Sequence, residues 1–150
     1  MATPNVPVVP ARVRLADVTP PIALGPLDGR YRAAVAPLVD HLSEAALNRE
    51  RVHVEVEWLI FLTTHQVVPG VRALTEDEQR QLRQVVDDFG AAEIDELATI
   101  ERETNHDVKA VEYWLGERFA AEPSLAGATG FIHFACTSED INNTSHALML

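Results

Sequence analysis

Three short segments concentrate the side chains that bind anions or move protons. In Asp28-Gly29-Arg30-Tyr31-Arg32, an Asp-Gly turn presents a guanidinium beside a phenol. Arginine suits bidentate contact with phosphate or carboxylate, so Arg30 is a candidate anion ligand with Tyr31 beside it. The plain alternative is an exposed Arg next to a Tyr that packs on the core. In Thr104-Asn105-His106-Asp107, a histidine stands just ahead of a helical stretch. Free N–H groups at a helix start attract anions, and His exchanges a proton near neutral pH. The plain alternative is that Asn105 or Asp107 caps the helix and His106 is a bystander. The third segment is His133-Phe134-Ala135-Cys136-Thr137-Ser138-Glu139-Asp140-Ile141-Asn142-Asn143. Thr137 and Ser138 place two hydroxyls at a helix start, where they can hold a carboxylate or phosphate. Asn142 and Asn143 are poor residues for a helix interior unless their amides have partners. Capping by Thr137 or Ser138 above a solvated polar face is the competing reading.

Other candidates carry less. His53 and Glu57 lie four apart on a helix, but two ligands do not make a metal site, and no H-E-x-x-H pattern is present. Cys136 is the one cysteine, with His133 and His106 near it in sequence; a lone Cys in an apolar setting is more often a small buried residue than a nucleophile. There is no P-loop, dinucleotide fingerprint or G-x-S-x-G motif.

The elements that must position these segments read as helices. Residues 1–19, with Pro4, Pro7 and Pro10, read as a mobile arm, and the ordered domain is expected to begin near Pro20. A short helix is expected from Arg32 to Leu42. Over 43–66, Val52, Val54, Val56 and Trp58 alternate with polar residues like a strand. However, Ser43 is a fit N-cap, Leu47, Val54, Trp58, Phe61 and His65 share a helical stripe, and more than 20 residues pass without Gly or Pro. The spacing predicts a helix ended by Pro69-Gly70. Thr75-Glu76-Asp77-Glu78 is a capping box ahead of a Leu82, Val85, Val86, Phe89 stripe, which Gly90 ends or softens before Ile94, Leu97 and Ala98. Val108, Val111, Leu115 and Phe119 mark a helix over 107–120, broken by Glu122-Pro123-Ser124; Gly127 and Gly130 predict a loose stretch after it. A last helix opens at Thr137-Ser138. It reaches Leu148-Met149-Leu150 without Gly, Pro or a basic last turn, and so reads as a chain cut inside a helix.

Composition bounds the function. The 150 residues carry 12 Lys plus Arg against 23 Asp plus Glu, for a formal net charge of −11. Eleven of the twelve bases are Arg and Lys109 is the one Lys. Such acidity argues against a nucleic-acid module and against a polybasic membrane-surface segment. The stretch 75–103 holds ten acids and three bases, read as a solvated helical face. Apolar residues make up 47% of the chain, enough for a core. One Cys permits no intrachain disulfide, and no run reaches the length of a bilayer span, so a reducing cytoplasm is the expected compartment.

Pro26-Leu27-Asp28-Gly29-Arg30-Tyr31, Ile100-Glu101-Arg102-Glu103-Thr104-Asn105-His106-Asp107-Val108-Lys109-Ala110-Val111-Glu112-Tyr113 and Phe131-Ile132-His133 through Asn143 together resemble the N-terminal part of the bacterial adenylosuccinate lyases, in that family's order and spacing. Those enzymes belong to the fumarase/aspartase superfamily. The resemblance runs from about Ala23 to Leu150. It implies an all-α fold: an N-terminal helical domain, here 20–136, leading into the long-helix bundle of a homotetramer, whose first helix would open within 137–150. It implies β-elimination of fumarate from adenylosuccinate, giving AMP, and from the succinyl-carboxamide ribotide of purine synthesis. A base removes a proton from the carbon next to a carboxylate, the carbanion charge spreads into that carboxylate, and an acid protonates the departing nitrogen. No metal or organic cofactor is implied, and no nucleic-acid or membrane partner.

Carried over residue by residue, Arg30 and Tyr31 match positions that contact the nucleotide. Asn105, His106 and Asp107 match a second binding segment, and Thr137 and Ser138 match positions holding the substrate's acidic end. The family's acid/base His and loop Ser match nothing in this sequence and are expected beyond Leu150, so His106 is not given that role and this chain alone is expected to be inactive. Two other readings stand beside this one: a purine-nucleotide-binding or interaction module without catalysis, and a superfamily enzyme acting on argininosuccinate or fumarate, against which the Thr104–Tyr113 motif speaks.

Overall fold

The computed structural model describes residues 25–150, and these contain helices and turns with no strand. The expected arm, 1–19, and the expected domain start near Pro20 lie outside the described residues. The chain divides into two units, Met1–Pro37 and Leu38–Leu150.

In the first unit, residues 25–31 form a chain of turns, closed by the Asp28 and Gly29 N–H groups on the Gly25 carbonyl and the Tyr31 N–H on the Pro26 carbonyl. Helix α1, Arg32–Val35, follows. The single helix expected over Arg32–Leu42 is divided: α1 gives way to a 3₁₀ turn at Ala36–Leu38, then to α2 at Val39–Leu42. Pro37 is the physical reason. It lacks an N–H and its ring crowds the carbonyl one turn back, so the α-helical ladder cannot run through it.

The second unit is built on α3, Glu44–Thr64. Ser43 caps it as expected, its Oγ accepting the Ala46 N–H at 3.1 Å. The strand-like alternation is overridden, and α3 is one helix of 21 residues. The expected stripe of Leu47, Val54, Trp58, Phe61 and His65 is not the core face, however. The buried apolar positions are Ala46, Val52, Val56, Leu59, Ile60 and Leu62, whereas Phe61 is 46% exposed. Apolar and charged residues are mixed on every side of α3, so no single stripe stands out and its neighbours select the face. It packs against α4 (Glu76–Asp87), α6 (Asp107–Ala121) and α7 (Ser138–Met149).

Helix α4 begins at the expected capping box: Thr75 Oγ1 accepts the Glu78 N–H, and the Glu78 carboxylate accepts the Thr75 N–H at 2.8 Å. Leu82 and Phe89 are buried from its stripe. The run is broken there: α4 stops at Asp87, ahead of Gly90, and α5, Ala91–Thr104, starts afresh with Gly90 at its N-cap and the Gly90 N–H on Glu93. Helix α5 packs on α6, whose Val108, Val111, Leu115 and Phe119 are all buried as the spacing predicts. The stretch around Gly127 and Gly130 is not loose. It forms a 3₁₀ helix, Ala126–Phe131, anchored by buried Leu125 and Ala128.

Candidate functional site

The Thr104–Asp107 segment is the joint between α5 and α6. Asn105 takes the left-handed conformation (φ 51°, ψ 36°), which Asn tolerates better than most residues, and it turns the chain sharply after α5. That turn places His106, not Asn105 or Asp107, in the extended N-cap position. The His106 Nδ1 accepts the Lys109 N–H at 3.1 Å, so the capping alternative is corrected: the histidine is the cap. A neutral ring accepting at Nδ1 carries its proton on Nε2. Nε2 faces Ser138 Oγ at 3.5 Å, across 32 residues of sequence. The second and third candidate segments therefore meet.

Asp107 opens α6 and is tied down twice. Its Oδ1 accepts the Val108 N–H at 2.8 Å, and its Oδ2 accepts from Arg51 Nη2 at 2.5 Å. Burial alone would raise its pKa. The Val108 N–H and the Arg51 guanidinium outweigh burial and hold the carboxyl below the usual range. Arg51 is itself buried; its Nε donates to Asn142 Oδ1 and its Nη1 to Asn48 Oδ1, both at 2.9 Å. This explains an asparagine inside α7. One guanidinium ties α3 to the first turns of α6 and α7. A cleft of about 650 Å³ opens beside it, lined by Arg51, Asp107, His106, Asn105 and the α5 residues Arg102 and Glu101.

Thr137 is the N-cap residue of α7. The Asp140 carboxylate accepts both the Thr137 N–H at 2.7 Å and its hydroxyl at 2.9 Å. Those bonds hold Asp140 below the usual carboxylate range. The Thr137 hydroxyl is thus already donating within its own cap, whereas the Ser138 hydroxyl is turned to His106. Just before this cap, His133 and Ala135 both have φ near +60°. Non-Gly residues persist there only where their surroundings over-determine the backbone. Glu55 does so for His133, with its side chain wholly buried: Oε2 accepts the His133 N–H at 3.0 Å and Oε1 pairs with Nδ1 at 2.6 Å. Burial pushes the Glu55 carboxyl up against the lowering effect of His133.

Arg51 and Glu55 do not emerge as site residues from the sequence. Their signal is a charge four residues from another charge inside a run of Val, one turn from Leu59, where an isolated charge has no reason to be buried.

The remaining candidates fall apart. His53 pairs with Glu50 at 3.0 Å, while Glu57 is held by Arg83 through two bonds of 2.6 and 2.9 Å. No group of three or more His, Cys, Asp or Glu that could hold a metal occurs among the described residues. Burial first, then Glu55 and Asp140, push the Cys136 thiol up, which leaves it protonated and a poor nucleophile. Cys136 lines a second cleft, about 590 Å³, with Trp58, Phe61, Ile141 and Leu148 between α3 and α7. In the first unit, Arg30 and Tyr31 are exposed, and the guanidinium lies 5.5 Å from the Tyr31 ring centroid.

Against known proteins, a family model described as lyase matches residues 29–150. The chain belongs to the lyase family. Its curated relatives include an Escherichia coli K12 protein named adenylosuccinate lyase, 50% identical over 128 residues. Proteins of that name from Legionella pneumophila and Dictyostelium discoideum are 41% and 39% identical, over 128 and 130 residues. Each match covers 85% of this lyase-family chain and 28% of the relative. The chain therefore spans somewhat over a quarter of the length of these relatives, and the candidate residues from Arg30 to Asn143 fall inside the stretch 29–150 that the family model matches. No helix among its described residues is long and apolar enough to cross a membrane.

Proposed function

We propose that this chain supplies part of the substrate-binding surface of an adenylosuccinate lyase, which eliminates fumarate from adenylosuccinate to leave AMP, and likewise from the succinyl-carboxamide ribotide of purine biosynthesis. The observation that carries this reading is the meeting of His106 and Ser138 at the first turns of α6 and α7. An imidazole N–H and a hydroxyl, set at two helix starts whose backbone N–H groups favour negative charge, suit a substrate carboxylate into which carbanion charge spreads. Arg51 holds those two helix starts in register through Asp107 and Asn142.

In this reading Thr137 and Ser138 hold the acidic end of the substrate. Asn105, His106 and Asp107 form a second binding segment, in which Asp107 acts by orienting Arg51. Arg30 and Tyr31 contact the nucleotide, where a guanidinium and an aromatic ring suit a phosphate and a purine. Residues 137–150 begin the bundle domain, 20–136 form the N-terminal domain, and the acid and base of the elimination are supplied from outside this chain. The working protein is a cytoplasmic homotetramer that needs no metal or organic cofactor. The apolar cleft between α3 and α7, with half-exposed Phe61 and Leu148 at its wall, supports assembly with further protein surface.

The test is fumarate release from adenylosuccinate by the protein that carries this chain. Release, abolished or strongly slowed by Ser138→Ala, is expected. Arg30→Ala should mainly raise KM, by an amount equivalent to about 1.5–3 kcal/mol for a lost charged hydrogen bond. Absence of fumarate, or wild-type kinetics in both variants, overturns the reading.

A further inference from the structure

We propose that Glu55 is a positioning residue for the Thr137–Ser138 segment, acting through His133; this rests on the reading of that segment as a substrate site. Glu55 lies 78 residues from His133 in sequence, and its buried carboxylate meets both the backbone N–H and the ring of that one residue. One turn along the same helix, the Trp58 indole N–H donates to the Phe134 carbonyl at 2.8 Å. Helix α3 thus grips two consecutive residues of the loop from positions i and i+3, which share a helix face. The grip passes on to the site through backbone. The His133 carbonyl accepts the Cys136 N–H at 3.2 Å, closing a turn that delivers the chain straight to Thr137. Asp140 takes over there, and Ser138 follows, facing His106.

The chemistry of the pair explains why a carboxylate is placed there. Oε2 can only accept from the His133 N–H. With the carboxylate ionised, Nδ1 must donate to Oε1, which fixes the Nδ1–H tautomer, opposite to that of His106. Nε2 of His133 has no hydrogen-bond partner among the described residues. A glutamine at position 55 keeps an acceptor for the His133 N–H but turns a donor toward Nδ1. It therefore preserves the turn and inverts the tautomer. An alanine preserves neither.

The experiment compares wild type, Glu55→Gln and Glu55→Ala in the protein carrying this chain. It uses amide hydrogen exchange over residues 131–138, ¹⁵N-histidine spectra, and fumarate release from adenylosuccinate. In wild type, Nδ1 of His133 is expected to be protonated. Glu55→Ala is expected to speed exchange at Cys136 and Thr137 about tenfold or more, with Leu59 and Ile60 in α3 essentially unchanged, and to lower kcat/KM by a similar factor. Glu55→Gln is expected to restore exchange to near wild type and to move the proton to Nε2. If alanine prevents folding, the wild-type tautomer and the glutamine variant still decide. An unprotonated Nδ1 in wild type, unchanged exchange in Glu55→Ala, or equal loosening of the α3 core overturns the proposal. Absence of fumarate release in every variant, with the loop loosened in Glu55→Ala alone, refutes the substrate reading and leaves the grip standing.

Discussion

His106 uses its two ring nitrogens for different tasks. Nδ1 caps α6 and Nε2 faces Ser138, so stability and binding can be separated by substitution. Asparagine is a good cap without a group in the place of Nε2. His106→Asn should therefore keep urea stability within about 0.5 kcal/mol of wild type, whereas His106→Ala loses about 1 kcal/mol for the missing cap. Both should weaken substrate binding alike. Equal stability in the two variants would remove the capping role. Arg51 sits at the opposite extreme, buried with three acceptors around it. Arg51→Ala strands Asn48, Asn142 and Asp107 together, and breaking a buried pair commonly costs about 3–5 kcal/mol. Asp107 is 43% exposed and regains water, so the expected loss is lower, about 2–3 kcal/mol, measured as a urea midpoint at unchanged slope.

At the scale of the element, helix positions are legible wherever one stripe and one cap agree. Thr75 and Glu78 announce α4, and Leu82 and Phe89 lie on its buried side as their spacing demands. Helix α6 reads equally well from Val108, Val111, Leu115 and Phe119. The face of α3 is not legible, because Val52, Val54 and Val56 spread apolar surface around it, and only the packing of α4, α6 and α7 decides which side closes. The candidate site divides the same way. Its helix starts show in the sequence at Thr104–Asp107 and at Thr137–Ser138, but spacing does not single out His106 over Asn105 or Asp107 as the cap, and Arg51 and Glu55 reach partners 56 to 91 residues away, a distance that no local pattern encodes. Glu78 shows what a legible cap adds. Arg72, bonding both of its oxygens at 2.6 and 2.8 Å, and then the Thr75 N–H pull its pKa down from 4.5 to about 2. A carboxylate lowered on folding stabilises the fold above its unfolded pKa, and that contribution drains away as pH falls from 4.5 towards 2. Glu78→Gln should thus be less stable than wild type at pH 7, with the gap closing as pH drops through this window in a series of urea melts. A gap that stays constant with pH would show that the Arg72 pair does not set this dependence.

For the whole chain, charge and apolar surface pull in opposite directions. A net charge of −11 makes copies of this chain repel one another near pH 7. The cleft between α3 and α7 favours contact, since Phe61 and Leu148 stand 46% and 50% exposed at its wall. Completing the burial of each gains about 1 kcal/mol, roughly half the usual 1.5–3 for a full side chain. Repulsion fades as the pH approaches the isoelectric point near 4.8, while Glu78 keeps its pair with Arg72 to lower pH. Association should therefore strengthen between pH 7.5 and 5.5. The double substitution of Phe61→Ser with Leu148→Ser leaves the net charge untouched, which isolates the apolar contribution. Sedimentation velocity should show wild type gaining mass over this range in proportion to concentration, with the double variant lagging at every pH. If the two sediment alike, charge alone governs association, and the cleft is not the surface through which this chain meets its neighbours.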